Sequence, residues 1–146
     1  MIQVVMVACT CIVIGLVVNG LSIFMGTNFI VTFLDANLLV LLIALWAINT
    51  TTVSVILTKM REIKEKYPSN NFVMTRNSMK WATIEQLILV VVAVVVQMCK
   101  TSVIVVSFVP HGQYIFNSLL VGVFAFSLQI LFDTARGVYV ILDHEL

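Results

Sequence analysis

KMREIKEKYPSNNFVMTRNSMK, residues 59–80, is the stretch on which the fold turns. It holds six basic residues, Lys59, Arg61, Lys64, Lys66, Arg76 and Lys80, out of eight Lys and Arg in the whole chain. Long apolar runs flank it on both sides, and no Lys or Arg precedes Lys59. A polar island between runs of that kind marks them as membrane spans, and its basic charge marks the side it faces. Basic loops favour the cytoplasm.

Composition points the same way. The chain has 146 residues, is 61% hydrophobic and carries only 10% charged residues. A soluble domain carries about 25%, and one of this size leaves much of its surface in water. Mean hydropathy is +1.11. The natural solvent is lipid. A net charge of +1 gives no reason to expect a nucleic-acid partner.

Working outward from the loop, four segments reach the roughly 20 apolar residues that a crossing helix needs. They are residues 2–24, 36–58, 81–106 and 114–134. The runs are continuous rather than alternating, so they are not barrel strands, and lipid forces such runs to bond their own backbone as helices. The first run lacks the basic start and cleavage site of a secretory signal and reads as a retained span. Arg136 follows the fourth span on the loop's side, while Met25–Asp35 and Ser107–Gln113 contain no Lys or Arg. The expectation is an all-α, polytopic, single-domain protein over residues 1–146. Its four helices form an antiparallel bundle with both termini cytoplasmic, in a prokaryotic inner membrane.

Within the loop, Lys59–Lys66 is suited to continue span two into water. Arg61 with Glu65 and Glu62 with Lys66 are opposite charges at i,i+4. Pro68 then disfavours continuation, and Ser69, Asn70 and Asn71 read as turn material. Lys80 and Trp81 read as the anchor where span three enters the headgroups.

Each span carries small or polar residues at helical spacing. Span one has Ala8, Gly15, Asn19 and Ser22, with Gly26 beyond, and span two has Ala44, Ala47, Thr51, Ser54 and Thr58. Gln86, Ala93, Gln97 and Lys100 align in span three; Ser118, Gly122, Ala125 and Gln129 align in span four, ahead of Asp133 and Arg136. Membrane helices pack through small residues and interhelical hydrogen bonds, so packing is the first reading of these stripes. A polar path through several copies, lined in part by Asn19, Gln97, Lys100 and Gln129, is the alternative.

Charges inside a membrane are costly and often functional. The spacing would put Glu85, Asp133 and Arg136 at one depth, which suggests a Glu85–Arg136 pair that sets helix register, with a proton or ion site as the alternative. Lys100 reads either as a side chain snorkelling to the outer headgroups or as an inward cation that binds an anion or gates a pore. His111, in the Pro110–Gly112 turn, reads as an exposed histidine. Cys9 and Cys11 stand as C-x-C with no further ligand type nearby, so they read as soft packing residues rather than a metal pair. No nucleophile–base set, phosphate loop or metal motif is present, and the expectation is a non-enzymatic chain without metal or cofactor.

Four spans, a basic loop between spans two and three and a short polar tail resemble the small membrane subunits of prokaryotic anti-phage systems, of the Rex exclusion and Kiwa type. The likeness is one of topology and covers most of the chain. It implies either a depolarising channel or a membrane sensor coupled to a cytoplasmic effector. Two functional expectations follow. In the first, the chain is a membrane sensor or scaffold that self-associates and docks a cytoplasmic protein through Lys59, Arg61, Lys64, Lys66, Arg76, Lys80 and Arg136. In the second it is an oligomeric, holin-like or ion-conducting pore.

Overall fold

In a computed structural model of the chain, the structure describes residues 2–66, 73–103, 105 and 110–142. It is all-helical: α1 spans Ile2–Phe24, α2 Phe29–Lys66, α3 Val73–Thr101 and α4 Gly112–Leu142. All four are long and apolar enough to cross a membrane. The architecture is that of a multi-pass membrane protein, a four-helix bundle whose outer surface is made of side chains such as Val13, Val17, Leu21, Val40, Ile43, Leu87, Val91 and Val95. A water-soluble bundle would not expose apolar surface on that scale.

Several boundaries differ from the sequence reading. Helix α2 begins seven residues earlier than expected and runs 38 residues, about 57 Å at 1.5 Å per residue. It therefore exceeds a hydrocarbon core of about 30 Å. The connection between α1 and α2 shrinks to residues 25–28, and Asp35 lies inside a helix rather than in a loop. The cause is local. Gly26 adopts φ 65 and closes α1 with two hydrogen bonds, Gly26 N to Ile23 O at 3.0 Å and Thr27 N to Ser22 O at 2.9 Å. This is the glycine C-cap of a Schellman motif. The Thr27 hydroxyl then accepts Phe29 N at 3.2 Å, so α2 starts at once.

Helix α3 starts at Val73, not at Trp81, and ends at Thr101; residues 104 and 106 of the expected span lie outside the described residues. Residues 73–80 contain no Gly or Pro, and Met79 is buried in a cluster with Val53, Ile56, Met60 and Ile63. That packing draws the supposed connector into the helix. Helix α4 likewise continues past Thr134, because Val138 packs on the same cluster and Gly137 lets the Met79 side chain approach. Pro68 and the turn residues 69–71 lie outside the described residues.

Helix α4 is the centre, packing on all three others, while α1 packs chiefly on α4. The main core joins Leu34, Leu38 and Leu42 of α2, Leu89 and Ala93 of α3, and Leu120, Val121, Val123 and Ile130 of α4. A second cluster, around Met60 and Met79, stiffens the end that carries the basic residues.

The α1–α4 seam is built from small residues. A Cβ on Gly15 would overlap the Ser118 carbonyl oxygen, and one on Gly122 would stand 3.2 Å from Cys11 O. The two backbones therefore touch directly, as small-residue membrane seams allow. The α2–α3 seam has a period of seven. Asp35, Leu42, Asn49 and Ile56 rise along α2, while Lys100, Ala93, Gln86 and Met79 fall along α3.

Candidate functional site

Polar groups inside the bundle are tied across helices. On α1, Asn19 is buried and its Nδ2 donates to Tyr114 O at 3.1 Å and to Ser118 Oγ at 3.0 Å. The Tyr114 hydroxyl donates back to Leu16 O at 3.1 Å. Asn19, one of the candidate pore residues, is thus an interhelical clasp. Gln86 Nε2 donates to Ser127 Oγ at 3.1 Å, in the same manner, between α3 and α4.

Lys100 has a partner that neither sequence reading considered. Its Nζ contacts both carboxylate oxygens of Asp35 at 2.5 Å. The lysine side chain is 11% exposed and the aspartate 41%. Lys100 therefore turns toward α2 instead of snorkelling outward, and its charge is matched. Sequence alone hides this partner, because Asp35 falls in the expected connection 25–35, ahead of the apolar run 36–58. A period of seven from Asp35 through Leu42 to Asn49 was the available signal.

The stripe expected to bury on α2 faces outward. Ala44, Ala47, Thr51, Ser54 and Thr58 are all exposed. Thr51, Ser54 and Thr58 each donate to the carbonyl four residues back, at 2.8–3.0 Å. Hydroxyls satisfied by their own helix need no neighbour in lipid, and the leucines of the opposite face fill the core instead. Gln97 is half-buried, and Gln129 donates to Asp133 Oδ1 at 3.3 Å.

At the basic end, Glu85 and Asp133 line a cavity of about 170 Å³ between α3 and α4, with Thr75, Ser78, Met79, Ala82, Ile130, Thr134 and Gly137. The expected Glu85–Arg136 pair does not occur among the described residues. The basic set surrounds this end. Lys59 pairs with Glu62 at 2.7 Å and Arg61 with Glu65 at 3.2 Å, both on exposed side chains. Lys64, Arg76, Lys80 and Arg136 are exposed and enter no ion pair among the described residues. The Lys66 side chain, and with it the Glu62–Lys66 pair, lies outside the described residues.

Compared with known proteins, the chain matches no family model, no curated protein and no solved structure. The site must be judged on its own chemistry. Among the described residues no group of three His, Cys, Asp or Glu could hold a metal ion, and Cys9, Cys11 and Cys99 are free thiols. What the arrangement offers is a packed helical projection carrying exposed cations, beside a cavity with two carboxylates. Sequence reading also passes over Trp46, Asn117 and Ser127, isolated polar residues in apolar runs, and takes Asn49 only as part of an Asn49-Thr50-Thr51 glycosylation pattern made inaccessible by its place inside span two.

Proposed function

We propose that this chain is a non-catalytic membrane scaffold or sensor that docks an acidic protein on the cytoplasmic side through its basic end. In this reading the bundle is antiparallel, with both termini inside. The α1–α4 contacts support the first point, because they run from Cys11 with Gly122 to Gly15 with Ser118 to Asn19 with Tyr114. The basic content of residues 59–80 supports the second.

The observation that carries the proposal is the α2 projection. Met60 and Ile63 are buried against Met79, so the charged end of α2 is held by tertiary packing rather than trailing from the membrane. Lys64 on this held segment, together with the exposed Arg76, Lys80 and Arg136 on α3 and α4, supports reading this end as a cationic docking surface. Simple attraction to anionic lipid would need no such rigidity, at about 1 kcal/mol per basic residue. Self-association belongs to the same proposal, through the outward small-residue face of α2. A place in anti-phage defence rests on the topological likeness alone.

The test is a fourfold reversal of Lys64, Arg76, Lys80 and Arg136 to Glu. We expect the reversed protein to keep its copy number in native membranes while cross-linking to its soluble partner is lost. Retained cross-linking would overturn the docking reading, as would a wild-type protein whose basic end engages only anionic vesicles.

A second reading is favoured by the α2 stripe. Thr51, Ser54 and Thr58 face outward, where several copies arranged around an axis would place them on a shared pore. The bundle's own centre is closed by Leu38, Leu42, Ala93 and Leu120. Ion flux through vesicles that is blocked by Ser54→Trp would favour the pore; no flux under any stimulus would remove it.

A further inference from the structure

The bundle buries amide groups that the protein itself leaves unbonded. Asn49 and Gln86 are both 0% exposed. Neither Nδ2 nor Oδ1 of Asn49 has a partner, nor has Gln86 Oε1, nor the indole Nε1 of Trp46 one turn from Asn49. These are four of the five orphaned buried side-chain atoms among the described residues. An orphaned buried polar group costs about 1–3 kcal/mol, so four at random positions would be a heavy burden on a small bundle.

They are not at random positions. The Asp35–Lys100 pair sets the register between α2 and α3. Asn49 lies fourteen residues beyond Asp35 (49 − 35 = 14), and Gln86 lies fourteen before Lys100 (100 − 86 = 14). Fourteen residues are two heptads, about 21 Å along a helix, and they return to the same face. Seven residues further along each helix come Ile56 and Met79, which share one buried cluster. The ends of the seam are in contact, so its middle places Asn49 opposite Gln86. Ser127 joins them from α4 through its bond with Gln86.

The level is polar on one side and closed on the other. Seven residues toward the ion pair lie Leu42 and Ala93, both fully buried. Toward the basic end lies the Glu85–Asp133 cavity, whose lining includes Ala82 and Ile130. Those are one turn from Gln86 and Ser127 respectively (86 − 82 = 4; 130 − 127 = 3).

We infer that Asn49, Gln86, Ser127 and Trp46 form an internal water-binding site at mid-bundle, exchanging with bulk water through the Glu85–Asp133 cavity. The chemistry matches. A water donates two hydrogens, which suit Asn49 Oδ1 and Gln86 Oε1, and accepts from Asn49 Nδ2 and Trp46 Nε1. Buried waters typically hold two to four such partners, so one or two molecules satisfy the set. The inference stands whether the chain is a scaffold or a pore. It makes the bundle interior a blind vestibule, wet from the basic end and stopped by Leu42 and Ala93.

The test uses the full chain in lipid nanodiscs, labelled with ¹⁵N, and measures magnetisation transfer from water by NMR. We expect transfer to the Asn49 side-chain amide and the Trp46 indole to build up several-fold faster than to the Ala93 backbone amide. We expect Ala82→Leu, which fills the cavity floor, to slow it. Gln86→Leu should lower the folded-to-unfolded ratio about tenfold, and Asn49→Leu together with Gln86→Leu should cost less than the two single effects combined. Transfer no faster than at Ala93 would overturn the site, even with the two amides coupled, since they would then bond each other directly. Fast transfer unchanged by Ala82→Leu would overturn the route.

Discussion

Gly15 shows how little room the α1–α4 seam leaves. A methyl there would overlap the Ser118 carbonyl oxygen, so Gly15→Ala must push two backbones apart. Its better helix propensity offsets about 1 kcal/mol at most. We expect a net loss of about 1–3 kcal/mol, read from reversible unfolding in mixed micelles. Gly20→Ala is the control. Its Cβ would rest 3.5 Å from the Tyr114 hydroxyl, an ordinary contact, so the propensity gain should leave it neutral or slightly stabilising. Equal destabilisation by both would count against the seam as described. Lys100 and Asp35 make a second case at this scale. Lys100→Met leaves a partly buried carboxylate and Asp35→Asn a nearly buried ammonium. Because Asp35 is 41% exposed, solvent screens the pair, and we expect a coupling of about 1 kcal/mol in a double-mutant cycle. Zero coupling would make the pair incidental.

Among the elements, α2 carries the most consequence. Its last turns were legible in the sequence, because Arg61 and Glu65 are spaced for a helix and do pair. Its first turns were not, since the Asp35 charge suggested a loop and the lysine that neutralises it lies 65 residues away. The inward face was misread for a related reason. Small and hydroxyl residues on α1 and α4 do pack inward, but those of α2 satisfy themselves and leave the core to leucine. Spacing reveals that a face exists; only the neighbouring helices decide which face turns in. The buried cluster around Met60 and Met79 gives the projection its own prediction. Ile63→Ser removes an apolar contact at a 6% exposed position, and we expect amide exchange across residues 59–65 to speed up at least tenfold while the α1–α4 seam keeps its protection. Exchange already fast in the unaltered chain would mean that the projection is not held by packing.

For the whole molecule, four helices with an apolar exterior were plain from composition, and the basic island at residues 59–80 marked the polar end shared by α2 and α3, though not where those helices stop. How the helices join was not, because it depends on backbone contact at Gly15 and Gly122 and on a seven-residue register between distant stretches. The proposed topology is one arrangement: four crossings, with residues 59–80 and Arg136 on the cytoplasmic face. Cysteine mapping tests it most directly, after Cys9, Cys11 and Cys99 are replaced by alanine. Single cysteines at the exposed positions Asn28, Gln113, Glu65 and Asn77 are treated in intact cells with a membrane-impermeant maleimide. The account expects labelling at Asn28→Cys and Gln113→Cys, with Glu65→Cys and Asn77→Cys labelled only after the membrane is opened. Labelling of Glu65→Cys or Asn77→Cys in intact cells would contradict it.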